Sequence, residues 1–280
     1  MANSAFTAAA AWAVAALFVF IALAVYGRQV GRILREGGKV RVCDLGLPGL
    51  LMSLVFAGYF TMVTVLTIAA ALRAGHQARE PEVNINLVLL NSLVFILFTA
   101  GIAGFLHYRG LRLREIFGLD RMRILAALGW SCGLVVAAFP ILETANALTV
   151  LALHGNAESQ VLVDLFSTAA HHHDYRAMGA ILFSAVFIQP ACEEFLFRGL
   201  FYGAWKRYLG SLRGGFLASL LFAAFHTSLA AFAGLFVLAV CLNIAYERTG
   251  SLLVPILMHA LFNFAELLLL FGFVQFGTPQ

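Results

Sequence analysis

The chain alternates long apolar runs with short polar connectors. The runs fall at about 5–26, 46–72, 83–107, 124–153, 178–205, 214–229, 231–246 and 251–273. Most are near or above the roughly 20 residues that a helix needs to cross the hydrocarbon core of a bilayer. From Ala5 to Tyr26 no residue is charged and no basic segment precedes the run, which predicts a retained transmembrane helix and not a signal peptide. The sixth and seventh runs are short and only His226–Ala231 separate them, which predicts two helices joined by a tight turn. The run 124–153 is long and contains Pro140 and Glu143, which predicts a kink or a tilt. The expected fold is therefore all-α: a polytopic transmembrane helix bundle of about eight spans, forming a single membrane domain over 1–280.

The placement of basic residues orients this layout. One set of connectors holds Arg28, Arg32, Arg35, Lys39 and Arg41, then Arg109, Arg112, Arg114, Arg121 and Arg123, then Lys206, Arg207 and Arg213, and finally Arg248. The opposite set keeps only Arg73, Arg79 and Arg176. Basic residues gather on the cytoplasmic side of membrane proteins, so both termini are expected outside. The polar stretch between Leu153 and Met178, with Asn156, Glu158, Asp164 and His171–His172–His173–Asp174, is expected to be an outer loop with an interfacial helix around 159–169. Three consecutive histidines do not face one point on a helix, so they read as a solvated loop and not as a metal site.

Composition agrees. The chain is 62% hydrophobic and 11% charged, against about 25% charged residues in soluble domains, with a mean hydropathy of +0.91. Its solvent must be lipid. The formal charge of +4 does not indicate nucleic acid, because no basic face alternates with aromatics. The compact, alanine-rich chain points to the cytoplasmic (inner) membrane, crossed many times. The four cysteines (Cys43, Cys132, Cys192 and Cys241) show no CxxC spacing and read as reduced residues, three of them inside apolar spans.

Ionisable residues inside transmembrane spans are costly and mark function. Here they concentrate in three places: Pro190-Ala-Cys-Glu193-Glu194-Phe-Leu-Phe-Arg198-Gly199, Phe222-Ala-Ala-Phe-His226 and His259-Ala-Leu-Phe-Asn263. Counted at about 1.5 Å per residue from the basic connectors, Glu193 and His226 lie roughly 20 Å deep, and His259 and Asn263 roughly 17 and 22 Å. Three distant helices thus place polar side chains at one level.

Spacing suggests the roles. Glu194 and Arg198, four apart, share a helix face and suit an ion pair. Glu193 is rotated about 100° from Glu194 and is free to face His226, as a carboxylate–imidazole pair tuned to act as a general base. His259 and Asn263 also share a face and suit donation to a developing oxyanion. Pro190 removes a backbone donor beside the site. Glu143 and Glu266 stand alone, without an evident partner. Phe195, Phe197 and Phe222 read as packing.

These three stretches resemble the EExxxR, FxxxH and HxxxN motifs of the CPBP family, the CAAX-protease and bacteriocin-processing (Abi) group of intramembrane peptidases. The approach Ala245-Tyr-Glu-Arg-Thr-Gly-Ser-Leu-Leu-Val-Pro is also similar to the family's. The resemblance covers about 178–265, the motif-bearing core, while the N-terminal spans over 1–153 match no motif. It implies an intramembrane CAAX-type endopeptidase acting on a membrane-associated protein or peptide, prenylated or leader-bearing. Glu193 and His226 would activate water, His259 and Asn263 would stabilise the oxyanion, and Glu194 and Arg198 would support the site. No cofactor is favoured. A zinc variant stays open, with Glu193, His226 and His259 as ligands. A non-catalytic scaffold or immunity protein is the second reading. A transporter is the third, and it lacks the paired broken helices of that class.

Overall fold

The computed structural model describes residues 2–42, 45–74, 84–154 and 161–276. Among them every regular element is helical: α1 (Ala2–Glu36), α2 (Gly46–Ala74), α3 (Ile85–Tyr108), the short α4 (Leu113–Ile116), α5 (Ile124–Ala152), α6 (Val161–His171), α7 (Tyr175–Phe183), α8 (Gln189–Glu194), α9 (Gly203–Phe225), α10 (Leu229–Thr249) and α11 (Leu253–Phe276). Two π-helical segments, Ser184–Ile188 and Phe195–Tyr202, flank α8, so that Tyr175–Phe225 is a continuous series of helical segments. Cys43, Arg79, Asn156 and Glu158 lie outside the described residues.

Among the described residues seven helices are long and apolar enough to cross a membrane. The chain is a multi-pass membrane protein, and its exposed side chains fit lipid: Phe20 is 70% exposed, Val55 68% and Leu97 62%. The predicted fifth and sixth spans lie in the single run Tyr175–Phe225, which is why seven segments stand where eight are expected. The run is nevertheless not straight. Gly210 adopts φ 78°, ψ 173°, a conformation essentially reserved for glycine. A Cβ on Gly214 would come 3.1 Å from the backbone nitrogen of Lys206, eight residues back, where a straight helix would separate them by roughly 12 Å. The chain therefore doubles back at Gly210, and residues 211–225 climb antiparallel to the residues before them.

The connectors predicted to share one side do meet at one end. The Lys39 amide donates to the Glu247 carbonyl at 2.7 Å, and Lys206 Nζ donates to the Val40 carbonyl at 2.8 Å. Arg121 Nη1 donates to the Lys39 carbonyl at 2.6 Å and to the Gly250 carbonyl at 3.4 Å. Buried Glu247 gathers the set: it accepts from Lys206 Nζ at 2.5 Å, from the Tyr202 hydroxyl and from the Val40 amide at 3.4 Å. A Cβ on Gly38 would fall 1.7 Å from Glu247 Oε2, so only glycine lets the α1–α2 connector pass. Arg248 is held by Gln29 at 3.0 Å and Glu36 at 3.4 Å.

Three apolar clusters fill the bundle. Phe60, Phe197, Phe201, Phe222 and Trp205 join α2 to the run Tyr175–Phe225. Leu134, Leu142, Leu238, Leu242 and Met258 join α5, α10 and α11. At the far end Phe166 of α6 packs with Ile181 and Leu267, placing the predicted interfacial helix against the bundle. His171, His172 and His173 are exposed beside it, as expected of a loop. α5 continues as one helix through Pro140. The described cysteines, Cys132, Cys192 and Cys241, are free; Cys192 and Cys241 are buried, while Cys132 is exposed.

Candidate active site

The site is built on α8, a helix of only six residues between two π-helical segments. Pro190 at its start has no N–H to give, and the Gln189 amide reaches back to the Ser184 carbonyl in the wider π pattern. Such π segments recur at functional sites, since the extra residue per turn re-aims side chains. The outcome is that Glu193 and Glu194 are both buried, at 5% and 0% exposure.

Each carboxylate has a different neighbourhood. Glu194 Oε1 accepts two hydrogen bonds, from Arg198 Nη1 at 2.9 Å and from His259 Nδ1 at 2.9 Å. Arg198, itself buried, also donates through Nη2 to the Ala239 carbonyl at 3.0 Å, and its guanidinium lies 4.7 Å from the Phe222 ring centroid. A charge this deep is tolerable only when paired and hydrogen-bonded, and the α10 carbonyl, Glu194 and the ring face supply that. Spacing alone anticipated the Glu194–Arg198 pair. The bond from Glu194 to His259, 65 residues away, it did not, because no periodicity reports which helix faces which.

Glu193 Oε2 is buried and has no hydrogen-bond partner. Facing it are His226 Nε2 at 3.8 Å and His259 Nε2 at 4.0 Å. Both separations are too long for direct hydrogen bonds and suit a small molecule held between the three atoms. The tautomers follow from the other ring nitrogens. His226 Nδ1 lies 2.8 Å from the Phe222 carbonyl, which can only accept, so Nδ1 carries a proton and Nε2 is turned to Glu193. His259 Nδ1 is committed to Glu194 in the same way, and its Nε2 likewise faces Glu193. Phe222 touches both imidazoles, with centroids at 4.7 Å from His226 and 5.6 Å from His259. It is a wall of the site as well as packing.

All six predicted residues thus lie in one region. Asn263 sits one turn beyond His259 and its Nδ2 donates to the Ala185 carbonyl at 2.8 Å, which ties α11 to the first π segment and leaves its second N–H uncommitted in that bond. His226 ends α9 with its side chain 17% exposed, the most open of the side chains that face Glu193. Glu143 and Glu266, expected to lack partners, lie close enough to interact with each other.

Among the described residues no three His, Cys, Asp or Glu side chains are disposed to hold a metal ion. Zinc bonds of roughly 2.0–2.1 Å would need the two imidazole nitrogens to close on Glu193 by about half an ångström from 3.8 and 4.0 Å.

A multi-pass helical membrane protein that buries a carboxylate between two imidazoles has the makings of an intramembrane hydrolase. The comparison with protein families points the same way: residues 176–265 match the family described as Type II CAAX prenyl endopeptidase Rce1-like, consistent with a CPBP-type protease. The matched stretch begins with α7 and ends just past Asn263, so it contains every residue of the site. No curated protein and no solved structure matches the chain.

Proposed function

We propose that this protein is an intramembrane endopeptidase of the glutamate type, hydrolysing a peptide bond of a membrane-associated protein that carries a lipidated C-terminus or a leader. One observation carries the reading: Glu193 Oε2, buried without a partner, is faced by two imidazole nitrogens at 3.8 and 4.0 Å. A water in that space is polarised by Glu193, which takes its proton as the oxygen attacks the peptide carbonyl. His226, with Nε2 turned to the same point, holds the water in line. The negative charge that develops on the carbonyl oxygen is met by the second N–H of Asn263 and by His259, whose Nε2 must carry a proton in addition to the one that Nδ1 gives to Glu194. The proton held by Glu193 then passes to the departing amine, and the scissile C–N bond breaks.

Glu194 and Arg198 fix the His259 ring and do not touch the substrate. The site sits in the cytoplasmic membrane, and the gathering of basic connectors at one end supports both termini lying outside.

The test is cleavage of a quenched farnesylated CAAX peptide by purified protein, comparing wild type with Glu193→Ala and His259→Ala, with and without a strong chelator. Loss of general-base chemistry costs about 10²- to 10⁴-fold. Both variants are expected to lose at least that much, with no effect of chelator. Loss with chelator and recovery with zinc would replace the glutamate mechanism by a metal site of Glu193, His226 and His259.

A further inference from the structure

Away from the candidate site, on the lipid-facing side of the N-terminal half, a groove of about 520 Å³ lies between α1 and α5, lined by Val25, Ala126, Gly129, Trp130, Gly133 and Leu134. Its floor is Gly129 and Gly133, and a Cβ on either would meet nothing within 4 Å, so the space over them is open. The walls are apolar, and Trp130 is an aromatic of the kind that settles at membrane interfaces.

The charges beside the groove are the informative part. Arg121 Nη1 bonds the Lys39 carbonyl, so the start of α5 and the end of α1 stand at one level. From that level α5 climbs through Ala126, Gly129 and Gly133, while α1, read backwards from Glu36, climbs through Arg35, Arg32 and Arg28 to Val25. Arg32 is seven residues from the groove-lining Val25 and so within about 20° of it on the helix; Arg28 and Arg35 lie on the same side. All three are exposed. None pairs with a described residue, whereas Arg121 and Arg248 nearby are fully engaged. Arg28 stands roughly 12 Å above Glu36, at a depth where the adjacent face of α5 is still apolar. Three exposed cations at the basic side of the membrane attract anionic headgroups, and among the described residues none is paired with a carboxylate.

We infer that this groove is a binding site for an anionic phospholipid, with an acyl chain lying over Gly129 and Gly133 and the phosphate held by Arg28, Arg32 and Arg35. Basic pockets between transmembrane helices hold lipid headgroups by this chemistry. The site involves none of the residues assigned to peptide hydrolysis.

The experiment is native mass spectrometry of the full chain released from detergent, titrated with phosphatidylglycerol or with phosphatidylcholine of the same acyl chains. Phosphatidylglycerol is expected to be retained preferentially, with retention falling roughly fivefold for each arginine changed in Arg28→Gln, Arg32→Gln and Arg35→Gln. Gly133→Leu, which fills open space and disturbs no core, is expected to reduce retention with all three arginines intact. Equal retention of the two lipids, or of phosphatidylglycerol by wild type and Gly133→Leu, would overturn the inference. So would a dimer of the wild type that Gly133→Leu dissociates without changing lipid retention, since the groove would then seat a second copy of the chain.

Discussion

Glu194 is the residue on which the geometry of the site turns. One oxygen serves a cation on its own helix and an imidazole from α11, so the charge that keeps Arg198 buried also sets the tautomer of His259. Replacement by glutamine tests this. A glutamine carries no negative charge to balance a doubly protonated His259 ring, so the ring meets the oxyanion as a neutral imidazole and not as a cation. In the farnesylated-peptide assay Glu194→Gln should lower kcat by about 10²- to 10⁴-fold while KM changes little; a variant with unaltered kcat would remove the orienting role. The residues themselves were legible in the sequence: charges inside spans are conspicuous, and spacing separated the Glu194 face from the Glu193 face. Their partners were not. The Ala239 and Ala185 carbonyls leave no side-chain signal, and Glu143 and Glu266 find one another only once α5 and α11 are packed.

At the scale of elements, helical runs were readable because lipid demands long apolar segments, and the connector Lys206, Arg207 and Arg213 marked the break between the fifth and sixth of them, but the glycine that makes the turn was silent. Residues 203–225 are two helical stretches that meet at Gly210, where a positive φ reverses the course of the chain. The π segments were equally silent, for they differ from an α-helix by one residue per turn and leave no period in eight residues. Gly38 gives the clearest test of a connector. Gly38→Ala would drive a Cβ into Glu247, and overpacking of this kind costs about 1–3 kcal/mol. Gly27→Ala, on α1 with nothing within 4 Å, should be neutral or slightly stabilising because alanine favours helix. Thermal unfolding in detergent separates the two; equal melting points would show that the connector yields without cost.

For the whole molecule, the family match spans 176–265, but the fold does not divide there. Glu247 and Lys206 of the matched stretch hold the backbone of Lys39 and Val40, and the Leu252 amide donates to the Phe117 carbonyl at 2.9 Å. Residues 175–276 expressed alone should therefore fail to give monodisperse protein in detergent, and co-expression with residues 1–154 should restore it. Recovery of a well-folded 175–276 fragment would show the N-terminal spans to be dispensable. Orientation is a separate matter, argued from arginine placement alone. Periplasm-dependent reporter fusions at residue 276 are expected to be active and fusions within 206–213 inactive; the reverse pattern would invert the molecule.

The knot around Glu247 also has a consequence in time. Val40 and the carboxylate it meets are separated by 207 residues of sequence. At about 5–20 residues per second of synthesis, the first connector leaves the ribosome roughly 10 to 40 s before its partner exists. Arg121 and Lys206 emerge within that interval to meet the carbonyls of Lys39 and Val40, but the two amides have no partner until Glu247 is made. The last helices to be made are thus the ones that close the first loop, and a nascent chain stopped before α10 is a substrate for quality control however well its early spans have inserted.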